Sequence, residues 1–284
     1  MPWVLRLSLA AMGCTTVIGC GPSAAQRDAT ITFGRALQAH GELVANETIY
    51  IRSEIKTRRV LTMSLPGARS AALLNHGAYK NPASGLPEPR IQRMVQIGGA
   101  AGNFGKSLAQ VADLASTTAD EKIFSAATRE LFLTAGAIGN AASGVTVGAP
   151  AVNLLTFPPN TTDSSTLNKR LPAAEPAFRA ADKDVSAEFD SESPDSLIDA
   201  FVAAVDQLEA MLEGPRRPTS ATTSAQDREI VANSYRVVAR NRDHIKFVTS
   251  RELELMNKSG AAFEAVTEAY QGNSTQLDAV DTYS

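Results

Sequence analysis

The apolar residues of this chain recur with the period of an α-helix. Between residues 30 and 65 they fall every three or four positions on one stripe, which Pro66-Gly67 ends. The alternation typical of β-strands is not convincing anywhere along the chain. Comparable helical stripes cover residues 91–115, 123–135, 197–212 and 231–266. We therefore predict an all-α protein, an elongated antiparallel helical bundle whose long helices pack as in coiled coils.

Capping motifs predict where several of these helices begin. Thr118-Ala119-Asp120-Glu121 is a capping-box pattern that opens the third helix. Ser193-Pro194-Asp195 supplies a cap and a first-turn proline for a later one. Ser224 caps the last helix, which reaches to about Gln271 and would be about 70 Å long unless Gly260 kinks it.

Three glycines lie on or beside the apolar stripe of the second helix: Gly98, Gly102 and Gly105. Each costs a helix about 1 kcal/mol, so we expect close backbone packing there. The stretch AAGNFGKS, residues 100–107, also fits a loose phosphate-binding loop in which Lys106 would reach the terminal phosphates. Because no second β-α-β unit and no apolar run ending in Asp follow, we favour a glycine-lined helix and expect no nucleotide cofactor.

Composition agrees with close-packed helices. The chain has 284 residues, is rich in alanine and contains only 6% aromatic residues. Its 27 basic and 30 acidic residues give a net charge of −3. A nucleic-acid partner usually needs a clustered basic face, so we expect none.

An apolar stretch near the N-terminus has the features of an export signal. Residues 7–18 carry no charge, follow Arg6, and are too few to span a bilayer. The run ends in Val17-Ile18-Gly19-Cys20, which resembles a bacterial lipobox. The resemblance implies that residues 1–19 are a lipoprotein signal peptide and that Cys20 becomes the N-terminus with palmitate-type acyl chains. Cys14 is a poorer match, and an ordinary cleaved signal or an uncleaved terminus is the alternative.

Lipidation would fix where the protein works. It divides the chain into the signal peptide, a lipidated cysteine and tether at residues 20–29, and one helical-bundle domain at residues 30–284. Two acyl chains suffice for stable attachment to a membrane. The residue after the cysteine is Gly21, which resembles the signal for sorting to the outer membrane in enterobacteria. In a cell with two membranes, the resemblance implies an outer-membrane protein that faces the periplasm. Both cysteines lie within residues 1–20, so the mature domain has no internal disulfide and depends on apolar packing.

Residues 131–157 form a charge-free, Gly- and Ala-rich stretch in the middle of the chain. Gly144 and Gly148 have the G-x-x-x-G spacing that lets helices approach closely in membranes, and Pro150 could turn the chain into a hairpin. The architecture is similar to the membrane-inserting hairpins of helical pore-forming toxins, without any shared motif. We favour a buried core hairpin. The candidate insertion residues are Leu131, Ile138, Gly144, Val147, Gly148 and Phe157.

Catalytic patterns are weak. None of the histidines, His40, His76 and His244, has a metal-ligand spacing, and the chain lacks a G-x-S-x-G elbow. We expect His40 to be a packed, partnered core residue and His244 to lie on a solvated face. We therefore expect no catalysis, metal or cofactor.

The predicted function is that of a lipid-anchored envelope scaffold, adaptor or binding protein with an envelope protein partner. The alternative is a membrane-active protein that inserts residues 131–157.

Overall fold

The computed structural model describes residues 23–65, 88–114, 121–143, 171–213, 224–270 and 277–284. These residues form α-helices and one 3-10 turn, with no strand among them, which confirms the all-α bundle. The turn, Leu171–Ala174, precedes the fourth helix. The helices are α1 (Ala24–Ser64), α2 (Glu88–Leu114), α3 (Glu121–Ser143), α4 (Glu175–Phe189), α5 (Leu197–Glu213), α6 (Ala225–Tyr270) and α7 (Asp278–Tyr283).

The two longest helices, α1 and α6, run antiparallel. Phe33, near the start of α1, packs on Phe263, near the end of α6, and Glu54 pairs with Arg240 at the other end. Helix α2 packs along α1 and α3 packs on α2, whereas α4 contacts α3 and α6. Helix α5 packs on α1 and α6, and the short α7 returns to the same two helices.

Glycines bring α1 and α2 into backbone contact. A Cβ atom on Gly41 would lie 2.4 Å from both the carbonyl oxygen of Gly98 and the amide nitrogen of Gly102. A Cβ atom on Gly34 would lie 2.6 Å from the carbonyl oxygen of Gly105. Since real side chains never approach backbone atoms so closely, only glycine fits here. The close packing predicted for the glycines of α2 is confirmed, and their partners are the glycines of α1.

An aromatic cluster joins the helices around this seam. The ring of Phe33 lies 5.8 Å from that of Phe263 and 5.5 Å from that of Tyr283. Phe178 of α4 stacks on Phe263 at 4.9 Å, and Phe104 of α2 meets the same ring at 6.1 Å. Helices α1, α2, α4, α6 and α7 therefore share one core.

Helix α1 begins earlier than the sequence pattern predicts. Ser23 caps it, accepting a hydrogen bond from the Gln26 amide at 3.2 Å, while the Gln26 side chain accepts one from the Ser23 amide. The Gln26 side chain also donates to the carbonyl of Ala269 at the end of α6. The assignment of residues 24–29 to the tether is therefore wrong, because this reciprocal cap and the contact with α6 hold them in the helix.

Two other predicted helix starts have different outcomes. Helix α5 begins at Leu197, and its cap is Ser196, which accepts from the Asp199 amide at 3.0 Å. The predicted cap at Ser193 is wrong, because Asp195 adopts a left-handed φ of 61° and breaks the helical path. Ser224 does cap α6, accepting from the Asp227 amide at 3.1 Å. Helix α6 then continues through Gly260, and the capping box at Thr118 lies outside the described residues.

Candidate functional site

The residues predicted for anchoring or insertion fall into two groups. Cys20 lies outside the described residues, and so do Gly144, Val147, Gly148 and Phe157. Leu131 and Ile138 lie in α3, where their side chains are 0% and 2% exposed. Both belong to the core of the bundle.

The second half of α3 is a partly exposed bundle helix. A Cβ on Gly139 would lie 3.3 Å from the Cβ of Ala177 in α4, and Arg93 of α2 donates to the carbonyl of Ala141 at 3.1 Å. Leu133, on the outer side, is 43% exposed. Among the described helices, none combines the length and apolar character needed to cross a membrane. Within the described part of the charge-free stretch, the side chains of Leu131, Thr134, Ala135 and Ile138 are buried in the bundle.

The candidate phosphate loop is part of a helix. Residues 100–107 lie within α2, with Lys106 exposed and Gly102 and Gly105 facing α1. A phosphate loop needs backbone amides that point at the ligand, but amides in the middle of a helix bond to carbonyls four residues earlier. The glycine-lined helix is therefore the correct interpretation of this motif.

A polar cluster lies beside the aromatic core, where α1, α4, α6 and α7 meet. The Nδ1 atom of His40 lies 3.1 Å from the Tyr283 hydroxyl. Ser259 donates its hydroxyl proton to the Oδ2 atom of Asp182 at 2.8 Å. His40, Ser259 and Tyr283 are all buried. The prediction that His40 is a packed, partnered histidine is confirmed.

Burial dominates the electrostatics of Asp182. It raises the pKa of this carboxyl from 3.8 to about 6, against the opposing effects of the Ser259 hydrogen bond and the nearby His40 and Arg179. The Ser259 proton is directed at a carboxylate, whereas an activated serine donates to a histidine. We interpret the cluster as a structural one that ties α4 to α6 and α7 to α1.

A second polar cluster lies between α1 and α6, which we call the α1–α6 polar seam: Glu47, Glu54 and Arg58 of α1 with Arg240 and His244 of α6. Glu54 pairs with both arginines, at 3.3 Å in the case of Arg240. The Nε2 atom of His244 lies 2.9 Å from Glu47, and its ring contacts that of Tyr50 at 4.6 Å. The predicted solvated position of His244 is therefore wrong, because Glu47 and Tyr50 hold it against α1.

Sequence reasoning missed Arg58 and Asp182. Arg58 is fully buried, and its position carried a signal, since it lies three residues after Ile55 on the apolar stripe of α1. Asp182 precedes Lys183 and Asp184 in a charged stretch of the sequence, so its burial could not be read locally. No group of three or more potential metal-ligating side chains occurs in the part of the chain that the structure describes.

Comparison with known proteins finds no matching family, no matching curated protein and no matching solved structure. The arguments about function below rest on the residues of this chain.

Proposed function

We propose that this chain is a lipid-anchored protein of the bacterial envelope that acts through its surface, as a scaffold, adaptor or binding protein, without catalysis. The observation that carries the proposal is the lipobox-like Val17-Ile18-Gly19-Cys20, followed after only three residues by a capped bundle helix. Because Gly21 follows the cysteine, the proposed location in a cell with two membranes is the outer membrane, with the protein facing the periplasm.

The short connection gives the anchor a structural consequence. Gly21, Pro22 and Ser23 separate Cys20 from α1, and three residues span at most about 10 Å. The start of α1 is fixed to the bundle by the Gln26 contact with Ala269 and by the ion pair of Arg27 with Asp113 at 3.7 Å. A lipidated Cys20 would therefore hold this end of the bundle close to the lipid headgroups.

An exposed aromatic residue on α6 supports binding to a protein partner. Phe247 is 52% exposed, and the guanidinium of Arg251 lies 5.7 Å from the centre of its ring. Arg240 lies seven residues before Phe247, two helical turns away on the same face. Aromatic and arginine side chains are enriched in protein interfaces, so this face of α6 is our candidate contact surface.

The anchor is tested by Cys20→Ser and Cys14→Ser in cells given a fatty-acid probe. We expect Cys20→Ser to leave the precursor uncleaved and unlabelled, while Cys14→Ser is processed and labelled as the wild type. Labelling that survives in Cys20→Ser and disappears in Cys14→Ser would show that Cys14 carries the acyl chains and that our assignment of Cys20 is wrong. Absence of label in the wild type would refute lipidation altogether.

The scaffold role is tested by crosslinking the mature lipoprotein in its own envelope. We expect one predominant protein crosslink that Phe247→Ser weakens at least severalfold, with Ile49→Ser as a control, because Ile49 is similarly exposed but lies on α1. Recovery of a ring-like oligomer with lipid alone would favour the membrane-active alternative instead.

A further inference from the structure

Arg58 is the largest fully buried side chain in the described residues, with no solvent exposure. It lies at the inner end of the α1–α6 polar seam, where its Nη2 atom pairs with Glu54. Burying a guanidinium is costly unless its charge and its N–H groups are matched. Each N–H group of the Arg58 side chain therefore needs a hydrogen-bond acceptor.

Two buried residues, one on each helix of the α1–α6 pair, carry polar side-chain atoms without hydrogen-bond partners in the described structure. The Nε and Nη1 atoms of Arg58 donate no hydrogen bond, and neither the amide nitrogen nor the oxygen of Asn241 has a partner. Asn241 is fully buried and adjacent in sequence to Arg240, which shares Glu54 with Arg58. Buried polar groups are nearly always hydrogen-bonded, to protein, to water or to a ligand.

Among the described side chains, the charges around Arg58 do not cancel. Arg58 and Arg240 share the single carboxylate of Glu54, which leaves one positive charge. Glu47 does not supply the balance, since it pairs with His244 about two helical turns from Glu54. Burial and the charge of Arg240 lower the pKa of Arg58 to about 10, the direction expected for an under-compensated cation. The side chain of Arg240 is 61% exposed, so the outer end of the seam is open to solvent.

We propose that the inner end of the α1–α6 polar seam binds a small monovalent anion, of chloride or carboxylate size, between Arg58 and Asn241. The anion accepts hydrogen bonds from the N–H groups of Arg58 that lack partners and from the Asn241 amide. Its negative charge balances the one positive charge that Glu54 leaves uncompensated. It enters past Arg240.

The experiment measures the melting temperature of the domain, residues 23–284, at fixed ionic strength. Sodium isethionate, a bulky anion, is replaced stepwise by sodium chloride and, separately, by sodium formate. We expect the wild type to gain about 5 °C in a saturable manner with at least one of the two probes. Arg58→Met should abolish the gain. Methionine has a similar length, and Glu54 keeps Arg240 as its partner, so no carboxylate is left unpaired.

Two further variants keep the result interpretable. Asn241→Leu should weaken the anion effect at least tenfold in half-saturating concentration, and it decides the matter if Arg58→Met does not fold. Arg236→Met removes an exposed arginine one turn from Arg240 and should leave the full effect. A wild type that melts at the same temperature in all three salts overturns the proposal. So does an equal gain in the Asn241→Leu protein.

Discussion

Glycine at positions 34, 41, 98 and 105 sets the distance between α1 and α2, because no other residue leaves room for the opposite backbone. The cost of these glycines to their helices is offset by the contact that they permit. The neighbouring Gly99 is different, since a Cβ there would meet nothing within 4 Å. The chain thus contains its own control for a glycine that packs and one that does not.

We expect Gly41→Ala to destabilise the protein by about 3 kcal/mol, because its Cβ would lie 2.4 Å from backbone atoms that cannot move aside. Gly99→Ala should stabilise it by up to about 1 kcal/mol through helix propensity alone. Urea unfolding of both variants measures the difference. Equal effects of the two substitutions would show that α1 and α2 do not pack as described.

The raised pKa of Asp182 predicts a pH-dependent stability. Because its folded-state pKa of about 6 exceeds the ordinary 3.8, the native state binds more protons between these values. Stability therefore falls as the pH rises from about 4 to about 6, and the cost persists above that range. Asp182→Asn removes this cost while its amide oxygen still accepts from Ser259.

We expect Asp182→Asn to gain about 1–3 kcal/mol over the wild type between pH 4 and pH 7.5. Denaturant unfolding at several pH values measures the gain. Asp243→Asn, on the exposed face of α6, controls for the loss of one carboxylate. A difference between wild type and Asp182→Asn that does not vary with pH would contradict the assignment.

At the scale of elements, the burial pattern of α3 predicts which of its positions tolerate a charge. Ile138 is 2% exposed, whereas Ala137 beside it faces solvent. Ile138→Asp should cost about 3–5 kcal/mol, because an unpaired charge would be buried, and Ala137→Asp should cost less than about 1 kcal/mol, mainly through helix propensity. Thermal unfolding followed by circular dichroism measures both.

Stability alone does not separate the two functions, because a hairpin stored in the bundle would also be buried. We expect the unlipidated domain to release no dye from liposomes above background. Clear leakage that Gly144→Leu removes, in a variant that remains folded by circular dichroism, would favour the membrane-active alternative over the scaffold.

Predicted helix positions succeeded where the signal was local. The small-residue face of α2 and the cap of α6 at Ser224 follow from residues three or four apart. Ser193 failed as a cap because Asp195 turns the chain, and Ser196 three residues later does the capping. Glu188 of α4 adds a hydrogen bond from the Leu197 amide at 2.9 Å. That contact depends on how α4 and α5 are placed relative to each other, and no local sequence pattern predicts this placement.

At the scale of the whole molecule, the three-residue connection from Cys20 to α1 predicts which end faces the membrane. Asp113, at the end of α2, pairs with Arg27 at the start of α1. In lipidated protein on vesicles, a fluorophore on Asp113→Cys should be quenched strongly by headgroup quenchers, whatever the tilt of the bundle. Inserting 20 Gly/Ser residues after Pro22 should reduce that quenching.

Labelling at position 113 is selective because residues 21–284 contain no cysteine of their own. Unquenched fluorescence at position 113, in protein whose lipidation is verified by mass spectrometry, would contradict the short connection without contradicting the anchor. If quenching at position 113 and the lipid detected by mass spectrometry are both absent, the result counts against lipidation itself.

The sequence by itself determined that the chain is helical, that α2 has a small-residue face and that His40 is buried, because each follows from the helical period and residue size. Only the tertiary structure decided that Gly34 and Gly41 complete the glycine seam, and that Glu54 is shared by Arg58 and Arg240. Arg58 and Arg240 are 182 residues apart, so their common partner depends on the order and rotation of whole helices. Periodicity identifies the face that each helix buries, and the packing of the helices selects what that face meets.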